Sequence, residues 1–180
     1  SSWIFPTHAL STAQKSWCDL LEKNTTGKMK CNILPRGVTA GPGTYDAIKN
    51  GQDDISFTVH GYTPGRFATT KMAEFPFLGN SSEAISVAFH KIASKNPAFE
   101  AEHPGVKVLA YFTHGPGLIF NTKRPIAKVE DLSGLKFRVG GFAGKVIERM
   151  GGVPQNIPGG EIYQALEKGT IDAAERSEER

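Results

Sequence analysis

The stretch LKFRVGGFAGKVIERM, residues 135–150, decides the fold of this chain. Apolar and cationic residues alternate from Leu135 to Val139, which is the period of a strand with one covered face. The pair Gly140-Gly141 ends that strand, and apolar residues then recur at helical spacing up to Met150. The sequence therefore predicts a strand that ends at the N-terminus of an amphipathic helix.

Arg138 lies in this strand, close to the predicted helix start. A guanidinium that meets the free N–H groups and the positive end of a helix is suited to bind an anion. The alternative is that Arg138 is a solvated or structurally paired charge beside an ordinary glycine turn. Arg138 is the central candidate for ligand binding.

Two segments around this stretch carry a family resemblance: NTKRPIAKVEDLSGLKFRVGG, residues 121–141, and GVPQNIPGGEIYQALEKGTIDAAE, residues 152–175. They resemble the extracytoplasmic solute-binding proteins of tripartite ATP-independent periplasmic (TRAP) transporters, and the resemblance extends back to SSWIFPTHALS. In that family a KRPI…DLKGLKxR run enters the second lobe, and its arginine, which matches Arg138, binds the ligand carboxylate. We therefore predict a two-pronged salt bridge between Arg138 and a carboxylate.

The resemblance implies an α/β protein of two lobes, each a sheet flanked by helices, joined by hinge-crossing strands around a ligand cleft. Residues 1–120 would form mainly the N-terminal lobe and end in a hinge-crossing strand. Residues 121–180 would form part of the second lobe. The family continues well beyond the position of Glu175, so we interpret this chain as truncated.

Hydropathy periodicity predicts the individual elements. Helices are expected at 10–24, 45–49, 82–95, 142–150 and from Glu161, and strands at 2–5, 28–34, 54–59, 106–112, 118–121, 135–139, 153–157 and 171–174.

Ligand contacts in α/β proteins lie beyond the carboxyl ends of strands. Phe5 and His8 follow the first predicted strand, and His60 and Tyr62 follow the third. Gly61 between the latter two lets backbone approach a ligand closely. The alternatives are that Phe5 is a core residue, that His8 is a polar residue near a helix start, and that Gly61 forms an ordinary turn.

Further site residues are implied by the resemblance alone. Phe112 and His114 fall where the family has a ligand-facing turn near the hinge. Gly159 lies in PGGEIY, which is similar to the branch that binds 2-oxo acids and related monocarboxylates. Sialate-type members carry a second arginine where this chain has Leu118, which favours a ligand with one carboxylate and an apolar body.

Glu175 matches a position at which some 2-oxo-acid members bind sodium. The glutamine that helps them has no counterpart in THGPGLIFN, so no metal is predicted, and no cofactor is expected.

Composition limits the partners of the chain. A net charge of +3 spread over 180 residues does not indicate a nucleic-acid surface, and no run of about 18 apolar residues exists. No leader peptide precedes Ser1, so a signal for export would have been removed or not included. The resemblance implies a periplasmic monomer that binds a small organic anion and docks on the TRAP permease.

Cys18 and Cys31 are too few for a disulfide framework or a structural zinc site. Both are expected to be buried thiols, although a single bridge between them is geometrically conceivable.

An enzyme is the rival interpretation. The loop HGPG, residues 114–117, looks like the oxyanion loop of an α/β-hydrolase acting on a carboxylate, but the required G-x-S-x-G elbow is absent. The run VGGFAG lacks the G-x-G-x-x-G spacing of a dinucleotide site. The prediction is therefore a binding protein for a 2-oxo acid or aromatic monocarboxylate that performs no chemistry.

Overall fold

The computed structural model describes residues 6–63, 65–141 and 143–177. The chain divides into two compact units, Ser1–Thr58 and Val59–Arg180. The predicted strand 2–5 and the candidate Phe5 lie outside the described residues. The predicted lobe division at residue 120 stays a prediction.

The described residues form the following helices and strands. The α-helices are α1 (Ala9–Asn24), α2 (Thr44–Lys49), α3 (Ser82–Ala93), α4 (Pro97–Ala101), α5 (Ala143–Arg149) and α6 (Ile162–Glu167). The strands are β1 (Gly117–Asn121), β2 (Lys136–Val139), β3 (Val153–Asn156) and β4 (Ala173–Ser177). Short 3-10 helices cover Gly41–Gly43, His60–Tyr62, Thr69–Glu74, Val129–Leu132 and Gly159–Glu161. None of the helices in the described residues has the length and hydropathy that crossing a membrane requires.

In the first unit, Cys18 of α1 forms a disulfide with Cys31, so the expectation of two free thiols was wrong. The chain turns at Gly27, which has φ +77°, and folds back along α1, where Lys30 pairs with Glu22 at 3.0 Å. This return brings the two cysteine Cα atoms to 5.6 Å, within the range that a disulfide requires. The sequence pattern could not show that distance.

In the second unit, four strands form one mixed sheet in the order β1-β4-β2-β3. Strand β2 is parallel to both β3 and β4, and β1 is antiparallel to β4. Helix α5 connects β2 to β3, and α6 lies between β3 and β4 in the chain, which is the βαβ arrangement of an α/β sheet. One core cluster lies at this sheet and consists of Leu132, Leu135, Phe137, Val139, Ile147 and Ala173.

Strand β2 is more deeply buried than its alternating pattern predicted. Phe137 and Val139 are buried as expected, but Arg138 between them is only 6% exposed. A parallel strand between two neighbours is covered on both faces, which is why the intervening arginine is enclosed as well.

Three predicted strands are not strands within the described parts of the chain: 28–34, 54–59 and 106–112. In the last segment the backbone N–H of Tyr111 donates to His90 Nδ1 at 3.3 Å, and that of Thr113 donates to Ser86 Oγ at 2.9 Å. Side chains of α3 therefore accept hydrogen bonds that a neighbouring strand would have accepted. The apolar pattern of 106–112 reflects packing of Tyr111 into a second core cluster with α3 and α4.

Candidate functional site

The guanidinium of Arg138 is buried at the ends of β2 and β4 and is held by neutral acceptors. Nε donates to the carbonyl of Ile157 at 2.7 Å, and Nη1 donates to the carbonyl of Glu175 at 3.1 Å. Nη2 donates to the phenol oxygen of Tyr62 at 3.2 Å. None of the ion pairs formed by the described residues includes Arg138.

The hydrogen-bond count of this guanidinium matters for its chemistry. A guanidinium has five N–H donors, and the three contacts above use Nε and one hydrogen on each Nη. Among the described residues, one hydrogen on Nη1 and one on Nη2 have no acceptor. A carboxylate can accept two such hydrogens side by side where both point away from Nε, and this is the arrangement that the predicted two-pronged bridge requires.

The Tyr62 side chain joins two backbone segments to Arg138. It is 9% exposed, and its oxygen accepts from Arg138 and also from the backbone N–H of Gly159 at 3.1 Å. A Cβ atom at Gly159 would lie 3.5 Å from that oxygen and 3.8 Å from Arg138 Nη2. Three predicted site residues therefore meet at one point: Arg138, Tyr62 and Gly159.

Glycines let the neighbouring turns approach this point. A Cβ atom at Gly61 would collide with the backbone of Gly141, whose φ of +62° also favours glycine. A Cβ atom at Gly140 would lie 3.6 Å from Arg138 Nη2. The carboxylate of Glu74 lies beside Gly141, where it would block any added Cβ atom.

Glu175 contributes more than its carbonyl. Its side chain lies over Gly117, where a Cβ atom would collide with Oε1. Burial raises the pKa of Glu175, His114 and Arg138 oppose this change and Glu74 adds to it, so the pKa lies above its ordinary value of 4.5. A carboxyl group with this pKa sits within electrostatic range of Arg138.

His60 lies in the same turn as Tyr62 but faces elsewhere. Its Nδ1 contacts Thr70 Oγ1 at 2.8 Å and its Nε2 contacts His103 Nε2 at 3.3 Å, while its ring stacks on Phe67 at 3.9 Å. Burial, reinforced by His103 and opposed by Glu102, lowers the pKa of His60 to about 4. Both ring nitrogens are engaged with other side chains, so this geometry offers no direct contact to a ligand.

The remaining candidates are not brought to Arg138 by any described hydrogen bond. His8 caps α1, because its Nδ1 accepts the backbone N–H of Leu10 at 3.2 Å. Phe112 is 48% exposed. His114 is exposed, and its Nδ1 contacts the carbonyl of Gly115, although its charge acts on Glu175. Their ligand roles stay predictions.

Sequence reasoning missed Thr70, Glu74, Glu102 and His103. Two of them lie in residues 66–78, which lack periodicity, and His103 is 43 positions from its partner His60. No motif connects these positions, so only the folded chain reveals them. Among the described residues, no group of three or more His, Cys, Asp or Glu side chains is arranged to hold a metal ion.

Known proteins are similar to this chain over nearly its whole length. The family model for bacterial extracellular solute-binding protein, family 7 (DctP), matches residues 3–178. A TRAP periplasmic solute-binding protein from Bordetella bronchiseptica, solved with bound (R)- and (S)-mandelate, is 37% identical with a TM-score of 0.93 over 98% of this chain and 56% of that chain. A TRAP solute-binding protein from Rhodoferax ferrireducens with copurified benzoate is 31% identical with a TM-score of 0.89, over 97% of this chain and 55% of that chain.

A shorter match is closer in sequence. The monocarboxylate 2-oxoacid-binding periplasmic protein of Nostoc is 55% identical over 53 residues, which are 29% of this chain and 15% of that protein. The chain spans about half the length of the curated relatives that it matches along most of its own length, 47% and 51% for two of them. The fold and the family are thereby shown for the span that this chain covers.

Proposed function

This chain belongs to the bacterial extracellular solute-binding proteins of family 7, the DctP type of TRAP transporters, and on that premise we propose that it captures a small organic monocarboxylate outside the cytoplasm. The ligand is passed unchanged to the membrane permease of the transporter. The protein acts as a monomer in the periplasm.

The buried guanidinium of Arg138 is the observation that carries this proposal. A cation enclosed in protein normally has an anionic partner, because an uncompensated buried charge is costly. Arg138 has only neutral oxygen acceptors among the described residues and retains one N–H on each terminal nitrogen. A ligand carboxylate would supply the missing charge and accept both hydrogens.

The ligand that we propose is an aromatic acid or a 2-oxo acid. Relatives that are more than 30% identical carry mandelate or benzoate, and the Nostoc protein is named for 2-oxo acids. Leu118 stands where sialate-binding members have a second arginine, which supports an apolar body over a polyhydroxylated one. Glu175 near Arg138 also disfavours a second negative charge on the ligand.

Export is supported by the Cys18–Cys31 disulfide, since such bonds persist in oxidising compartments such as the periplasm. Two curated relatives are named as periplasmic binding proteins. The hydrolase alternative has no support from the site, and we expect no turnover of a bound acid.

The test is ligand identification with the full-length protein. Mass spectrometry under native conditions, on protein purified without added acid, should reveal a copurified monocarboxylate. A thermal-shift panel of benzoate, (R)-mandelate, a 2-oxo acid, succinate and glucuronate should then raise the melting temperature for the monocarboxylates. Ligand at 100 times its Kd stabilises by about 2.7 kcal/mol, which such a scan resolves. A response to glucuronate or succinate alone would refute the ligand class, and accumulation of a product would refute the binding role.

A further inference from the structure

Two histidines behind the site meet in a way that fixes their protons. His103 is 5% exposed, and its Nδ1 lies 2.7 Å from the carbonyl oxygen of Phe99. A carbonyl only accepts, so Nδ1 of His103 carries a proton, and in the neutral imidazole Nε2 is then the acceptor. Nε2 of His60, 3.3 Å away, must therefore donate to it.

The direction of the next hydrogen bond, between Thr70 and His60, follows from the same rule. When His60 carries its proton on Nε2, its Nδ1 is an acceptor, and the Thr70 hydroxyl at 2.8 Å must donate to it. The order of donation is Thr70 to His60 to His103 to the carbonyl of Phe99. With both imidazoles neutral, every donor in this order finds an acceptor.

This pair holds the turn that carries Tyr62. Residues His60–Tyr62 form one 3-10 helix, closed by a hydrogen bond from Tyr62 N to the carbonyl of Val59 at 3.0 Å. His60 in this turn contacts His103, Thr70 and Phe67, and Tyr62, two residues later, contacts Arg138 through its phenol oxygen. A shift of the His60 ring would therefore move the phenol oxygen at the guanidinium.

Glu102 holds the segment that carries Thr70. Its Oε1 accepts the backbone N–H groups of Ala68 at 2.8 Å and Thr69 at 2.6 Å, and the Thr69 hydroxyl at 2.7 Å. Glu102 and His103 are consecutive, so the end of α4 holds both the helix Thr69–Glu74, which supplies the Thr70 hydroxyl, and the turn of His60.

We propose that His60 and His103 form a neutral proton-sharing pair that acts as a positioning device for the Tyr62–Arg138 contact, and so for the carboxylate site. This inference rests on the proposed function for its ligand, although its proton arrangement does not. His60 is thus a positioning residue, and the ligand contact belongs to Tyr62 and Arg138.

The surroundings of His60 favour its neutral form. The titratable groups that act on His60 are the neighbouring imidazole of His103 and the carboxylate of Glu102. Burial and His103 lower the pKa of His60 and Glu102 opposes them, with a net fall to about 4. The Tyr111 ring lies 5.8 Å from the His103 ring, and burial raises the pKa of Tyr111, so it stays neutral as well.

The experiment has a ligand-free arm in the full-length protein. Nitrogen-15 NMR of the imidazoles at pH 7.5 should show the Nε2–H tautomer for His60 and the Nδ1–H tautomer for His103, as the proposed pair requires. A protonated imidazole at either position, or the opposite tautomer of His60, would overturn the pair.

The second arm measures benzoate affinity by calorimetry at pH 7.5 and pH 5.5. Thr70→Val removes the hydroxyl that donates to His60 at constant shape, and we expect a loss of roughly five-fold in affinity, the usual effect of one neutral hydrogen bond. The loss should be larger at pH 5.5, since His60 without its donor protonates more readily. Thr70→Ser retains the hydroxyl and should bind like wild type.

The possible outcomes distinguish the positioning role from the proposed function. Equal affinities of Thr70→Val and Thr70→Ser at both pH values would overturn the positioning role. Failure of the wild-type protein to bind any carboxylate would refute the proposed function and the positioning role with it, while the NMR arm would still decide whether the neutral pair exists.

Discussion

Replacement of Arg138 by lysine tests the site most directly. Lysine retains the charge, but its ammonium cannot present two parallel N–H groups to a carboxylate. It also cannot reach three acceptors spread around a planar group, namely the carbonyls of Ile157 and Glu175 and the phenol of Tyr62. Both ligand binding and the order of the site should therefore suffer.

The magnitude follows from the enclosure of the guanidinium. Removal of one partner from a desolvated charge pair, as in Arg138→Ala, costs roughly 2–5 kcal/mol, which is about 30-fold to several thousand-fold in affinity and is the upper limit for Arg138→Lys. Loss of the internal hydrogen bonds of Arg138 should also lower stability by about 1–3 kcal/mol. Calorimetric titration of benzoate and thermal unfolding without ligand measure the two effects separately.

Arg124 provides a matched control. It also donates to backbone carbonyls, those of Asp131 and Ser133 at 2.8–3.0 Å, but it lies on an exposed surface. Arg124→Lys should reduce stability slightly and leave affinity unchanged. If Arg138→Lys binds benzoate as tightly as wild type while its stability falls, Arg138 is a structural residue and the assignment of the site is refuted.

Three further changes have expected outcomes. Gly61→Ala places a methyl group against the backbone of Gly141 and should cost about 1–3 kcal/mol in stability as well as reduce ligand affinity. The control Gly160→Ala places its methyl group in open space. Equal melting temperatures for both variants would contradict this packing. Replacing Cys18 and Cys31 together by serine should lower the free energy of unfolding by about 2–4 kcal/mol, the usual cost of opening a short loop, and reductant should have no additional effect on the variant. Burial lowers the pKa of His60 from 6.5 to about 4, so the native state excludes a proton that the unfolded state binds. The free energy of unfolding should therefore fall by on the order of 3 kcal/mol as the pH drops from 6.5 towards 4. A denaturation series with no such fall, or with the same fall in His60→Asn, would contradict this burial.

Some local structure was predictable because short-range rules govern it. Helix α3 begins after Ser81, whose hydroxyl accepts the N–H of Ala84 at 3.2 Å, as a serine before an apolar stripe predicts. The segment 106–112 was predicted wrongly, since its apolar residues match a strand equally well as a packed irregular segment. Its backbone donors go to His90 and Ser86 on α3, and no local pattern encodes those partners.

The site shows the same division. Arg138 was predictable as its centre, because the strand pattern, the glycines and the family motif coincide at one position. Tyr62 was a candidate because it follows the predicted strand 54–59, which is not a strand in the structure, and its role of joining Arg138 to Gly159 was not predictable. His103 gave no signal, since its importance depends on one contact across 43 residues.

By itself the sequence determined the βαβ order of the second unit and the family, and it singled out Arg138 as the candidate for carboxylate binding, because these depend on periodicity and on motifs within a few tens of residues. Only the tertiary structure decided that Cys18 is bridged to Cys31 and that His60 contacts His103. It also decided that Arg138 donates to neutral acceptors, with two of its N–H groups lacking an acceptor among the described residues. Each of these depends on the distance between atoms remote in the chain. Hydrogen bonds and disulfides form only within a few ångströms, and the hydropathy pattern fixes which face is buried without fixing which neighbour covers it.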